Sequence, residues 1–166
     1  MMGIVEPPES SLDWNLRALG IAEASQDPEA RRWLGSLYNN IGWTYFKMED
    51  YPKALRLFEL ALAFREKQKQ APQIRIARWC IAKAWRMIGR VDDGLKAQQA
   101  LLAEYEQIGE PDGYVFEELG ECLLALGRSE EARPHFARAY ELLSQDTWLP
   151  HDEPERLSRL KSLGGR

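Results

Sequence analysis

The chain has 166 residues, 45% of them hydrophobic, and 22 Lys and Arg against 26 Asp and Glu give a formal net charge of -4. That is enough apolar material for one continuous core without metals or disulfides, and the acidic balance argues against general binding to nucleic acid or to an anionic membrane surface. Cys80 and Cys122 lie in apolar helical patterns without CxxC spacing, so they read as buried reduced thiols, which suits a cytoplasmic setting.

Residues 1–10 have no basic residue ahead of their few apolar ones, so they are expected to form a flexible segment and not a signal peptide. No later stretch reaches the roughly 20 apolar residues of a membrane span, and no membrane partner is expected. Helical periodicity then predicts helices near 11–24, 28–48, 51–70, 72–89, 92–108, 112–126, 129–145 and 153–162. Asp27-Pro28, Gln70-Ala71-Pro72 and Glu110-Pro111-Asp112 mark starts. Met48-Glu49-Asp50, Gly89-Arg90 and Gly127-Arg128-Ser129 mark breaks, with Ser129 expected to cap the helix that follows.

A repeat runs through these elements. SLDWNLRALGIAE from Ser11, ALRLFELALAFRE from Ala54, GLKAQQALLAEYE from Gly94 and ARPHFARAYELLS from Ala132 align, with starts separated by 43, 40 and 38 residues. The last three copies are each preceded by a second pattern: LYNNIGWTYF, RWCIAKAWRM and FEELGECLLAL. In these, Ile41, Ile81 and Leu119 precede the small residues Gly42, Ala82 and Gly120, and Tyr45, Trp85 and Leu123 follow three positions on. A small residue beside large apolar ones lets a second helix approach closely while the large side chains fill the gaps.

These columns resemble the tetratricopeptide repeat. The unit from Gly35 supplies Tyr38, Ile41, Gly42, Tyr45, Ala54, Phe58 and Ala61, and the unit from Gly113 supplies Phe116, Leu119, Gly120, Leu123, Ala132, Phe136 and Ala139. The middle unit is looser, with Arg78, Ile81, Ala82, Trp85, Gly94, Gln98 and Leu101. The longer period is similar to the about 42-residue variety of kinesin light chains and bacterial repeat proteins. The resemblance implies an all-α, right-handed α-solenoid of antiparallel helix pairs. The expected organisation is a repeat domain over 11–146, with a half repeat at 11–26 and full repeats at about 27–70, 71–109 and 110–146. Residues 147–166 then form a capping helix and tail, with Trp148, Leu157 and Leu160 covering the end. The orphan helix from Ser11 has no first helix before it. Either Ile4 and Val5 fold back over its apolar face, or it pairs weakly with a second copy or with an upstream domain.

The resemblance further implies a non-enzymatic scaffold with a concave groove lined by the first helix of each unit. The expected partner-binding residues are Asn39, Trp43, Phe46, Ile76, Trp79, Lys83, Arg86, Tyr114, Glu117 and Glu121, a mixture of aromatic anchors and charges. The alternative for Trp43, Phe46 and Trp79 is packing between neighbouring helices. The co-chaperone clamp for a C-terminal carboxylate uses Lys and Asn, then Asn, then Lys and Arg; Asn39 and Trp43, Cys80, and Tyr114 and Glu118 stand at those positions, a set without the cations and with Glu118 where Arg is wanted, so chaperone-tail binding is not expected. From Arg65 to Arg90 eight cations accompany one anion, and from Val91 to Gly127 nine acids accompany one Lys. This is either a solvated face with ion pairs such as Lys83 or Arg86 to Glu117 or Glu121, or a bipolar groove that orients an acidic peptide.

Catalysis is not expected. His135 and His151, the only histidines, have no evident partners, Glu117, Glu118 and Glu121 read as solvated or ion-paired, and no phosphate loop, HExxH or nucleotide fingerprint occurs. No catalytic, metal-ligating or cofactor-binding residue is therefore assigned. Two functions follow: an adaptor that docks a partner peptide or helix, or a regulatory segment of a larger signalling system that senses a small peptide.

Overall fold

The computed structural model describes residues 8–165, and among these no strand occurs. The helices are α1 (Pro8–Ala24), α2 (Pro28–Arg31), α3 (Leu34–Lys47), α4 (Tyr51–Lys67), α5 (Ala71–Met87), α6 (Val91–Ile108), α7 (Gly113–Ala125), α8 (Ser129–Leu143), α9 (Leu149–Asp152) and α10 (Pro154–Leu163). The all-α fold is thus as the periodicity predicts. The chain divides into two compact units, residues up to Ala84 and residues from Trp85 on.

The first unit is centred on the α3–α4 hairpin. Leu34, Tyr38 and Ile41 of α3 and Ala61 of α4 bury against Leu19 and Ala22 of α1, with Leu12, Leu37, Tyr45, Leu57 and Phe64 partly buried around them. The small residue at the hairpin's crossing is a steric requirement: a Cβ at Gly42 would lie 2.6 Å from the ring of Phe58, which is wholly buried. The second unit repeats the device, since a Cβ at Gly120 of α7 would lie 2.7 Å from the ring of Phe136 of α8. Leu119, Leu123, Ala139 and Leu143 complete that hairpin's core, and α10 packs on α8 through Leu157 and Leu160.

The five turns that follow α3 to α7 share a backbone conformation: Glu49, Lys69, Gly89, Gly109 and Gly127 all have positive φ, so each of these helices is followed by a left-handed residue, whether glycine or not. The Pro8 start of α1 falls three residues earlier than expected, with proline's fixed φ suited to a first helical position. The rest of the expected flexible segment, including Ile4 and Val5, lies outside the described residues.

Three local expectations need correction. The helix expected over 28–48 is two helices, separated by a turn at Arg32 and Trp33. The Arg31 guanidinium donates hydrogen bonds to the carbonyls of Glu23 and Ser25, tying α2 to the end of α1, and no glycine or proline advertises that tertiary tie. Ser129 does not cap α8: the N-cap residue is Arg128, whose guanidinium instead pairs in bidentate fashion with Glu131. At the C-terminal end Leu149, not Trp148, is the buried residue, with Trp148 left 46% exposed.

Candidate functional site

In the first unit, α3 and α5 bring together six of the expected partner-binding residues. Trp43 of α3 and Trp79 of α5 lie with ring centroids 5.9 Å apart. Trp43 also meets Phe46 at 5.1 Å, edge to face, and the buried Phe58 at 5.3 Å. Such geometries exploit the opposite charges of ring face and ring edge and hold the rings in fixed orientation. Lys83, one turn beyond Trp79, places its ammonium 5.1 Å from the Trp79 ring and 5.9 Å from Phe46. The cation is therefore positioned over two aromatic faces. Trp43, Phe46, Trp79 and Lys83 all remain partly exposed, so packing and accessibility coexist in the cluster.

Cys80 lies beneath this cluster and its Sγ is 3.9 Å from Oδ1 of Asn39. Burial pushes its thiol up to about 12, outweighing the nearby Lys83 charge, so it is a protonated, unreactive core group at neutral pH. One turn before Trp79, Ile76 is 51% exposed at the rim of a pocket of about 160 Å³ that also takes in Gly35, Ser36, Asn39, Asn40, Arg65 and Gln73.

The other four expected residues belong to the second unit, and there the chain supplies its own partners. Arg86 donates from Nε and Nη2 to the two oxygens of Glu118, at 2.9 and 3.0 Å, with the Glu118 side chain only 1% exposed. Burial would lower the Arg86 pKa, but the Glu118 bonds and charge outweigh it and the net direction is upward. Glu117 accepts from Nε of Arg156 at 2.9 Å, and Glu121 pairs with Arg159; both arginines come from α10. The Arg156 guanidinium also lies 5.2 Å from the Tyr114 ring. Glu117 and Glu121 are thus covered by α10; Glu117 and Glu118 are both buried, and of the two expected states, solvated or ion-paired, all three glutamates take the second. The pairing pattern differs from the Lys83 or Arg86 to Glu117 or Glu121 pairs suggested by the charge runs, because the partners of Glu117 and Glu121 stand nearly forty residues further along the chain.

The two histidines fall in unlike places. Burial lowers the His135 pKa where its ring lies 6.1 Å from Phe116, while His151 is exposed. Among the described residues no group of three or more His, Cys, Asp and Glu is placed to hold a metal ion, and no helix is long and apolar enough to cross a membrane.

Comparison with known proteins agrees with the hairpin architecture. Two family models, each described as tetratricopeptide repeat, match residues 34–67 and 89–147. No curated protein matches the chain. Among solved structures, the nearly identical TPR-like repeats of a Podosopora anserina protein named for kinesin light chain are similar in fold, with a TM-score of 0.64 at 14% identity, covering 95% of this chain and 79% of that one. A glutamine-to-methionine variant of the same repeats gives a TM-score of 0.65 at 14% identity and the same coverage. The two family matches span the α3–α4 and α7–α8 hairpins whose glycine and phenylalanine columns were derived above, and the chain belongs to the tetratricopeptide repeat family.

Proposed function

We propose that the chain is a non-catalytic docking module that holds a peptide or helix of a partner protein on the face formed by Asn39, Trp43, Phe46, Ile76, Trp79 and Lys83. Tetratricopeptide repeats mediate protein–protein interaction in general and are typically scaffolds, which sets the class. The observation that carries the finer reading is the Trp43–Trp79 pair with the Lys83 ammonium across two rings. Partly exposed, rigid aromatics beside a fixed charge are the composition of interface hot spots. Neither α3 nor α5 contains an acidic residue, whereas the first-unit part of α5 has Arg75, Arg78 and Lys83, so an acidic segment is the complementary ligand.

Arg86, Tyr114, Glu117 and Glu121 then act within the chain, holding α7 and α10. The buried thiols of Cys80 and Cys122, joined in no disulfide, suit a reducing, cytoplasmic setting. Co-purification of partners with wild type, Trp79→Ala and Lys83→Glu tests the reading. Loss of the same partner in both variants, by about 2 kcal/mol or more for Trp79→Ala with the helical content and melting temperature retained, supports it. Undiminished binding by both variants contradicts it.

A further inference from the structure

The pocket at the α3, α4 and α5 end of the first unit contains a cation with only neutral partners. Arg65, near the end of α4, is partly buried, and its guanidinium donates to Oε1 of Gln70 at 2.7 Å and to Oγ of Ser36 at 3.2 Å. These account for two of the five N–H donors of a guanidinium. Among the described residues no carboxylate pairs with it, in contrast to Arg86, Arg156 and Arg159, each of which holds a glutamate. Burial alone pulls its pKa down, the mark of a charge removed from water without an opposite charge in return.

The surroundings hold this group in place. Gly35 lets the guanidinium lie against the backbone of α3, since a Cβ there would come within 2.5 Å of Nε. The remaining polar lining consists of neutral side chains: Ser36, Asn39, Asn40 and Gln73. Gly35 and Ser36 belong to the first turn of α3 and Gln73 to the first turn of α5, and neither first turn contains an acid. The first turns of α3 and α5 thus add no negative side chain to the pocket, and the Arg65 guanidinium in the last turn of α4 is the charge on its wall. Its volume of about 160 Å³ admits a carboxylate and its adjoining carbons but not a bulky side chain.

We infer that this pocket is a carboxylate-binding subsite, in which Arg65 receives a carboxylate of the partner while Asn39, Asn40 and Gln73 surround it with amide groups. The planar fork of a guanidinium matches the two oxygens of a carboxylate, which a lysine ammonium would not. The subsite rests on the reading of the first unit as a docking face and extends it past Ile76, giving the acidic partner a second, charge-specific anchor. Asn39 apart, it uses none of the positions of the co-chaperone clamp considered above, so its source of affinity is a different one.

The carboxylate belongs either to a chain terminus or to an Asp or Glu side chain, and small probes separate the two. Amide chemical shifts of the 15N-labelled chain are followed on titration with N-acetylglycine and with the α-amide of N-acetylaspartate, at constant ionic strength, against neutral N-acetylglycinamide. Shifts centred on Gly35, Ser36, Gln73 and the Arg65 Nε–H with either acid, absent with the neutral probe, support the subsite. A response to N-acetylglycine alone identifies a terminal carboxylate, and a response to the aspartyl probe identifies a side-chain one. Arg65→Lys should weaken the response, but because Arg65 also ties α4 to α3, the deciding variant is Gln73→Glu at an exposed rim position. One added negative charge at ion-pair range in partly screened surroundings should raise the apparent Kd about five-fold or more. Equal shifts with acid and neutral probes, or an unchanged Kd in Gln73→Glu, overturn the inference. Trp79→Ala leaves these small probes unaffected, so failure of the subsite and failure of the docking face give different results.

Discussion

Alanine placed at two glycines of this chain should change stability in opposite directions. Gly20 lies within α1 with nothing within 4 Å of the position its Cβ would take. There Gly20→Ala gains only helix propensity, about 0.5–1 kcal/mol. Gly120→Ala gains the same propensity, but its Cβ would meet three ring atoms of Phe136 at 2.7, 2.8 and 2.9 Å. Phe136 is 1% exposed and cannot swing into solvent, so the hairpin must open by several tenths of an ångström. Overpacking of that kind costs about 1–3 kcal/mol, and with Phe136 unable to yield the cost falls in the upper half of that range, which leaves a net loss of about 1–2.5 kcal/mol after the propensity gain. Urea denaturation followed by circular dichroism measures both. Phe136→Leu should partly relieve the alanine, giving a favourable coupling of about 1 kcal/mol in a double-mutant cycle. The middle copy shows the same trade in sequence, with Ala82 in the column of Gly120 and the non-aromatic Gln98 in that of Phe136. If Gly120→Ala stabilises as Gly20→Ala does, the close-approach argument for the hairpins is wrong.

Arg86→Ala should cost about 3–5 kcal/mol in the same assay, because it leaves the buried Glu118 carboxylate without its cation, and Arg86→Met with Glu118→Leu should recover most of that. The Cys80 thiol should resist a thiol reagent until the first unit unfolds. Its folded pKa of about 12 lies above the ordinary value of 9.0, so its contribution to stability is intact below pH 9 and is lost as the pH rises toward 12. Cys80→Ala should flatten the part of the alkaline loss that begins near pH 9, and an unchanged profile contradicts the burial argument. We also propose weak self-association through the first helix, where Trp14 and Ile21 are 63% and 70% exposed, with Trp33, in the turn before α3, 55% exposed. A mass that rises with concentration in light scattering, and stays monomeric in Ile21→Glu, is the expected result.

The hairpins were legible because their signal is local: Gly42 with Phe58 and Gly120 with Phe136 recur at the same spacing, and the turn residues punctuate them. Contacts that join distant segments were not. The pairing of Glu117 with Arg156 and of Glu121 with Arg159 crosses 39 and 38 residues, and nothing in the glutamate pattern of α7 distinguishes an ion pair from an open face. The same holds for Arg31, whose tie to the carbonyls of α1 ends α2 without any breaker residue. Arg65 opens the cationic run noted in the sequence, yet its Ser36 partner stands 29 residues away, so the absence of an acidic partner among the described residues becomes visible only in the fold. Of the expected docking residues, spacing along α3 and α5 located the aromatic set of the first unit, whereas side-chain reach across units of sequence decided the fate of Glu117 and Glu121.

Photo-crosslinking tests the docking face most directly. A photoreactive residue at Ile76, 51% exposed beside Trp79, is compared with one at the exposed Glu59 of α4 in the presence of co-purified partner. The account predicts a single crosslinked species from position 76 that maps to an acidic segment and disappears in Lys83→Glu, with none from position 59. Equal crosslinking from both positions, or crosslinking from position 76 that Lys83→Glu leaves unchanged, would contradict it.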